Sequence, residues 1–191
     1  MSIRRLSGSL LAKVKAHLKK GGIIAYPVES CFGLGGLPNN SRAINKIIQL
    51  KKRNSNKGLI VIGGKIQHFN HMLFRLPEND INTIKQVWKN SSTTYLLPAK
   101  THKTQAKLRG KGRDKLAVRI PQHSGAINLC NSLNTALIST SANLSRKRNC
   151  RSTREVKRNF GKHVIIISGR VGQKKHPSVI IDFYNNTIIR K

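Results

Sequence analysis

Acidic residues are scarce: the 191 residues carry six Asp and Glu against 37 Lys and Arg, a formal net charge of +31. The six are Glu29, Glu78, Asp80, Asp114, Glu155 and Asp182. A paired-carboxylate glycosidase or an acid-rich two-metal nuclease would need most of them in one place, which argues against both chemistries. Cysteine is equally sparse. Cys31, Cys130 and Cys150 are odd in number and form no C-x-x-C pair, which argues against a disulfide scaffold or a zinc knuckle and predicts reduced thiols. The longest apolar runs, Leu59 to Ile62 and Val164 to Ile167 among them, are strand-sized, far short of the ~20 residues a bilayer span needs. Leu10 and Leu11 lie among Lys13, Lys15, Lys19 and Lys20, so no secretory leader is read at the start. Seven histidines are scattered, and the pair His68 and His71, expected at the surface, has no further ligands nearby. No protein-side metal site is expected. No repeat or low-complexity linker divides the chain, which reads as one domain over 1–191, cytoplasmic and without a membrane segment.

What is present in excess is positive charge. Such a surface repels itself and should lose stability at low salt unless anions bind. It should attract polyphosphates and nucleic acid, with affinity falling as salt rises. The excess also fits lysine and arginine drift on solvated faces, and charge alone does not name a reaction.

Periodicity predicts a helix over about 7–20 stopped by Gly21-Gly22, then a strand Ile23 to Tyr26 ended by Pro27 and a glycine-rich connection, 32–36. Ser41 is placed to cap a helix bearing Ile44, Ile47 and Ile48 on one face. Further strands are read at 59–62, 94–97, 116–120, 136–139, 164–167, 178–182 and 187–190. Helical segments are read at 66–74, 77–88 (proline in its first turn), 124–133 and 153–160. Interleaved strands and helices imply an α/β fold with a twisted, mixed parallel and antiparallel sheet and flanking helices. The basic stretches 100–115 and 143–154 are expected to be mobile loops.

Four stretches could carry chemistry. In 26–35, a strand, Pro27 and then glycines is how backbone N–H groups are brought near an anion, yet the run fits neither G-x-G-x-x-G nor the P-loop pattern. Lys51-Lys52-Arg53 with Lys57 either answers a helix's negative end or clamps phosphates. Ser139-Thr140-Ser141-Ala142-Asn143 ends a strand in hydroxyls and an amide, where α/β sheets bind ligands, and lacks the serine-hydrolase spacing. Arg119, inside an apolar strand, needs an anionic partner, and with so few carboxylates a ligand carboxylate is a serious candidate.

Together these stretches resemble the YrdC/TsaC family of L-threonylcarbamoyladenylate synthases, in order from about Leu6 to Asp182. Tyr26-Pro27-x-Glu29 with Gly33-x-Gly35 resembles the family's Y-P-T-E-x-x-x-G-L-G, and Lys51-x-Arg53 with Ser141-x-Asn143 its K-x-R and S-x-N signature. The runs 117–123 and 177–182 are similar to its A-V-R-x-P-x-H and P-S-T-I-V-D strands. The resemblance implies a curved sheet with a positively charged concave face and a short form without an extra domain. It implies conversion of ATP, L-threonine and bicarbonate to an adenylate and pyrophosphate, with Mg²⁺ carried on ATP. Lys51 and Arg53 would be catalytic and, with Lys57, Ser141 and Asn143, would bind ATP. Val28, Arg119, Ser139 and Ser178 would bind threonine, while Tyr26, Pro27, Glu29, Gly33 and Gly35 shape the loop. Expected partners are a tRNA threonylcarbamoyl-transferase complex and tRNA or double-stranded RNA on the basic surface. The chain departs from the family at Val28, at Asn54, and at Asn90-Ser91-Ser92, which stands where P-G-P is usual, and the lost prolines predict looser loops. The competing reading is a non-catalytic RNA-binding or ribosome-maturation protein.

Overall fold

The computed structural model describes residues 6–144, 147–174 and 176–190. The strands are β1 (Ile23–Pro27), β2 (Phe32–Gly35), β3 (Ile60–Ile62), β4 (Thr94–Pro98), β5 (Lys115–Arg119), β6 (Leu137–Ser141), β7 (Val164–Ile166), β8 (Ile180–Asp182) and β9 (Ile188–Arg190). They form one sheet in the order β7-β1-β2-β6-β3-β5-β4-β8-β9. The pairs β1/β7, β3/β5 and β4/β8 are parallel and the others antiparallel. The mixed sheet read from the sequence is therefore present.

Alternation along each strand sends neighbouring residues to opposite faces. Ile23, Ala25, Leu34, Val61, Val118 and Ile138 join one core with side chains of α2 (Ser41–Lys51), α3 (Glu78–Asn90) and α6 (Thr153–Phe160). Ile24, Tyr26, Ile62 and Leu137 join a second core with α1 (Gly8–Lys19) and α5 (Ser124–Leu133). A one-turn helix, α4 (Ala106–Arg109), lies inside the stretch 100–115. Of the stretch 143–154, residues 145 and 146 lie outside the described residues.

Several expectations need correction. Residues 32–35 are a strand, not a connection: Gly33 pairs with Tyr26, and Pro27 remains in register with Phe32. The chain instead turns at 28–31, closed by Val28 N–H to Cys31 O at 2.9 Å. Glycine is required at 35 because a Cβ there would lie 2.7 Å from the Tyr26 ring and 2.8 Å from Ile138 O. Helix α2 is capped by Asn40, whose side chain accepts from Ala43 N–H, rather than by Ser41. Pro77 stands at the cap of α3, outside its first turn. Only 66–69 of the segment 66–74 is helical, as a 3₁₀ turn. His68 is buried, with Nδ1 accepting from Gly64 N–H, while His71 is exposed. Side chains make local contacts at the positions that lack prolines. Asn54 accepts from Asn56 N–H at 2.8 Å, and the Ser91 and Thr93 hydroxyls lie 2.7 Å apart. All three cysteines are free and buried. Among the described residues, no helix is long and apolar enough to cross a membrane.

Candidate active site

The second core does not cover its whole face of the sheet. Gly33, Ser139 and Ser141 are short side chains at its centre, and they leave a cavity of about 470 Å³. Strand alternation sets Arg119 and Ser139 opposite their apolar neighbours Val118 and Ile138, so both face this space. The 28–31 turn forms one wall with Val28, Glu29 and Cys31. Ser91, Ser92 and Thr93, the run 176–179, and Arg190 on β9 form the others. Among the described residues, four cationic side chains line the cavity, Arg53, Arg119, Lys174 and Arg190, against a single carboxylate, Glu29.

That carboxylate is fully engaged. Arg119 Nη1 and Nη2 donate to Glu29 Oε1 and Oε2 at 2.9 and 3.1 Å, a bidentate fork, and Gln122 N–H donates to Oε1 at 2.9 Å. Burial alone would raise the Glu29 carboxyl, but the Arg119 charge and these hydrogen bonds outweigh it and hold the carboxyl below its ordinary range. The anion facing Arg119 is thus a residue of the protein, correcting the weight given to a ligand carboxylate. Arg119 Nε is buried with no partner among the described residues.

Lys51, at the end of α2, is buried and does not line the cavity. Its Nζ donates to Ser141 O, to Asn143 O at 3.0 Å and to Asn143 Oδ1 at 2.6 Å, while the Ser141 hydroxyl donates to Asn143 Oδ1 at 2.7 Å. Lys51, Ser141 and Asn143 therefore form one hydrogen-bonded cluster that fixes the end of β6. Burial first, and then the charge of Arg53, pull the Lys51 ammonium down to about 8.

Arg53 does face the cavity. Nη2 donates to Gly58 O at 2.9 Å, and buried Nε has no partner among the described residues. Arg190 Nη2 donates to Ser178 O at 2.7 Å, and burial, followed by the charges of Arg119 and Arg53, lowers its pKa. Three guanidiniums thus converge on one space. Ser139, Ser141 and Ser178 line the same space. Such a site suits a multiply charged anion that also offers groups for neutral hydrogen bonds.

The profile of the Sua5/YciO/YrdC family, described as telomere recombination, matches residues 16–191. This chain belongs to that family. It is 47% identical over 179 residues, 94% of each chain, to proteins from Neisseria gonorrhoeae and Neisseria meningitidis called threonylcarbamoyl-AMP synthase. A protein of the same name from Chromobacterium violaceum is 37% identical over 97% of this chain and 95% of its own. Among solved structures, P. abyssi Sua5 complexed with L-threonine is 26% identical with a TM-score of 0.79, and E. coli YciO is 22% identical with a TM-score of 0.77. The match covers 90% of this chain and 50% of that Sua5 chain, and 96% and 89% for YciO, so this chain spans half the length of the Sua5 it matches.

In this Sua5/YciO/YrdC protein, Val28, Glu29, Gly33, Arg53, Arg119, Ser139, Ser141 and Ser178 come together around the cavity. Tyr26, Pro27 and Gly35 lie behind them in β1 and β2, with the Tyr26 hydroxyl donating to Ile138 O at 3.3 Å. Lys57 is exposed and away from the cavity, where only its carbonyl meets Arg53. Arg190, Lys174 and His176 were not among the residues read from the sequence. Arg190 follows two isoleucines near the end of the chain, and Lys174 opens a Lys-Lys-His run, so each reads as surface charge.

Proposed function

We propose that this protein is a threonylcarbamoyl-AMP synthase, converting L-threonine, bicarbonate and ATP to L-threonylcarbamoyladenylate and pyrophosphate. Near-full-length identity of 47% with proteins of that name carries the reading, and the cation-rich, hydroxyl-lined cavity supplies chemistry that suits it. In this reaction the threonine nitrogen bonds to the carbon of bicarbonate while the carbon–hydroxyl bond breaks, the hydroxyl leaving as water with a proton from the amine, and a carbamate results. A carbamate oxygen then attacks the α-phosphorus, and the bond to the bridging oxygen breaks as pyrophosphate leaves. No protein nucleophile is required, so catalysis is positioning plus neutralisation of phosphate charge.

Arg53, partly buried, and Arg190, exposed at the rim, are assigned to the phosphates because both guanidiniums line the cavity. Ser139, Ser178 and the Arg119 face are assigned to threonine, with Val28 offering an apolar wall to its methyl group. Lys51 acts at one remove: it orients Ser141 and Asn143, which take the nucleotide. The carboxylate lining the cavity, Glu29, is committed to Arg119 and is not free to help cage Mg²⁺. The metal would therefore be held by the phosphates themselves, where it neutralises charge. The adenylate would serve formation of N6-threonylcarbamoyladenosine at position 37 of tRNAs through a partner transferase complex, with the basic surface attracting tRNA.

Pyrophosphate release from ATP, bicarbonate and single amino acids tests the assignment. Release that depends on threonine and on bicarbonate supports it. Release at one rate with every amino acid, or none with threonine, overturns it.

A further inference from the structure

Ser92, in the loop between α3 and β4, stands where separate parts of the chain meet. Its hydroxyl donates to Glu29 Oε1 at 3.3 Å and accepts from Lys174 Nζ at 2.9 Å. The same Oε1 accepts from Arg119, so Lys174 reaches the Arg119 fork through two intermediates, Ser92 and Glu29. The backbone leading to Lys174 is laid against the same residue. Gly172 N–H donates to Val28 O at 2.9 Å and Lys174 N–H to Glu29 O at 3.2 Å. A Cβ at Gly172 would lie 2.6 Å from Glu29 O, so this approach is open to glycine alone. Three residues further on, Pro177, Ser178 and Val179 line the cavity across from Arg119, and the Ser178 hydroxyl meets Thr94 Oγ1 at 2.8 Å.

We propose that Ser92 and Lys174 are positioning residues that tie the Glu29–Arg119 pair on one side of the cavity to the run carrying Ser178 on the other. The inference rests on the activity proposed above, because it assigns the pair of walls to threonine. Glu29 keeps Arg119 and Gln122 N–H when Ser92 is lost, so the buried pair survives removal of this link. What is lost is the register between the two walls. The effect should fall on KM for threonine and spare kcat, because no group touching the reacting atoms is removed.

The test compares Ser92→Ala, Lys174→Ala, their double variant and Ser92→Thr. A link made through one hydrogen bond to a charged donor at the surface predicts a threonine KM raised about fivefold in each single variant. The double variant should be no worse than the poorer single one, and Ser92→Thr should restore the wild-type value. Amide hydrogen exchange at Gly172 and Lys174, followed without substrates, should quicken in Ser92→Ala by a similar factor. Additive losses in the double variant overturn the proposal, as does a Lys174→Ala effect on ATP alone. Unchanged exchange in Ser92→Ala also overturns it. If the wild-type protein releases no pyrophosphate, the activity assignment falls, and the exchange measurement still decides whether the link exists.

Discussion

Substituting Arg119→Ala removes one half of a buried pair whose other half cannot leave. Glu29 and Arg119 side chains are 8% and 10% exposed, so the variant leaves a buried carboxylate with only Gln122 N–H and Ser92 as hydrogen-bond partners. Breaking a buried pair from one side costs about 3–5 kcal/mol. For a chain of this length, each kcal/mol moves the midpoint by about 2–4 °C, so Tm should drop by roughly 10 °C. The loss should depend on pH with a definite sign. The Glu29 carboxyl is held below its ordinary value of 4.5, so the pair contributes fully above that value and fades as pH falls through the lower folded value. The gap between wild type and variant should therefore close in acid. Replacing both residues, Glu29→Leu with Arg119→Leu, should cost less than Arg119→Ala alone, because no charge is then stranded. Thermal and urea unfolding without ligands measure all three. A loss below about 1 kcal/mol for Arg119→Ala, or a double variant showing the sum of both single losses, refutes the reasoning.

Lys51 should show the same pH sign as Glu29, in a higher window. Its folded value of about 8 lies below the ordinary 10.5, so between those values the unfolded chain binds more protons and stability rises with pH. Measured against Lys51→Met by urea unfolding at about pH 7.5 and about pH 9.5, wild type should gain at the higher pH; a gap that stays constant contradicts the burial argument. Arg190→Ala should raise KM for ATP about tenfold or more, as expected for losing a charged contact, and leave threonine affinity near wild type. Steady-state pyrophosphate release checks this, and an unchanged ATP KM removes Arg190 from the phosphate site.

The sequence exposed the order of elements because most strands and helices carry their own apolar period, as α5 and α6 do. It misread 32–35 because Gly33 and Gly35 erase the alternation that marks a strand. Those glycines answer a three-dimensional fact, the Tyr26 ring lying against β2. The need of Arg119 for an anion was legible, since an arginine between valine and isoleucine is costly unpaired. Its partner was not, because Glu29 lies 90 positions away. Lys51 was similarly half legible: its residue type suggested a clamp, while contacts 90 and 92 positions distant make it a support for Ser141 and Asn143. Arg190 gave no signal, because a cation in a chain with 37 of them stands out only once the fold brings it to the cavity.

The central claim is that this cavity joins threonine, bicarbonate carbon and AMP in one molecule. Incubation with ATP, threonine and carbon-13 bicarbonate, followed by rapid quenching and mass spectrometry, tests it directly. A threonine- and bicarbonate-dependent adenylate carrying the heavy carbon, formed in step with pyrophosphate, is the expected product. An adenylate of threonine without that carbon, or hydrolysis of ATP indifferent to threonine, would contradict it.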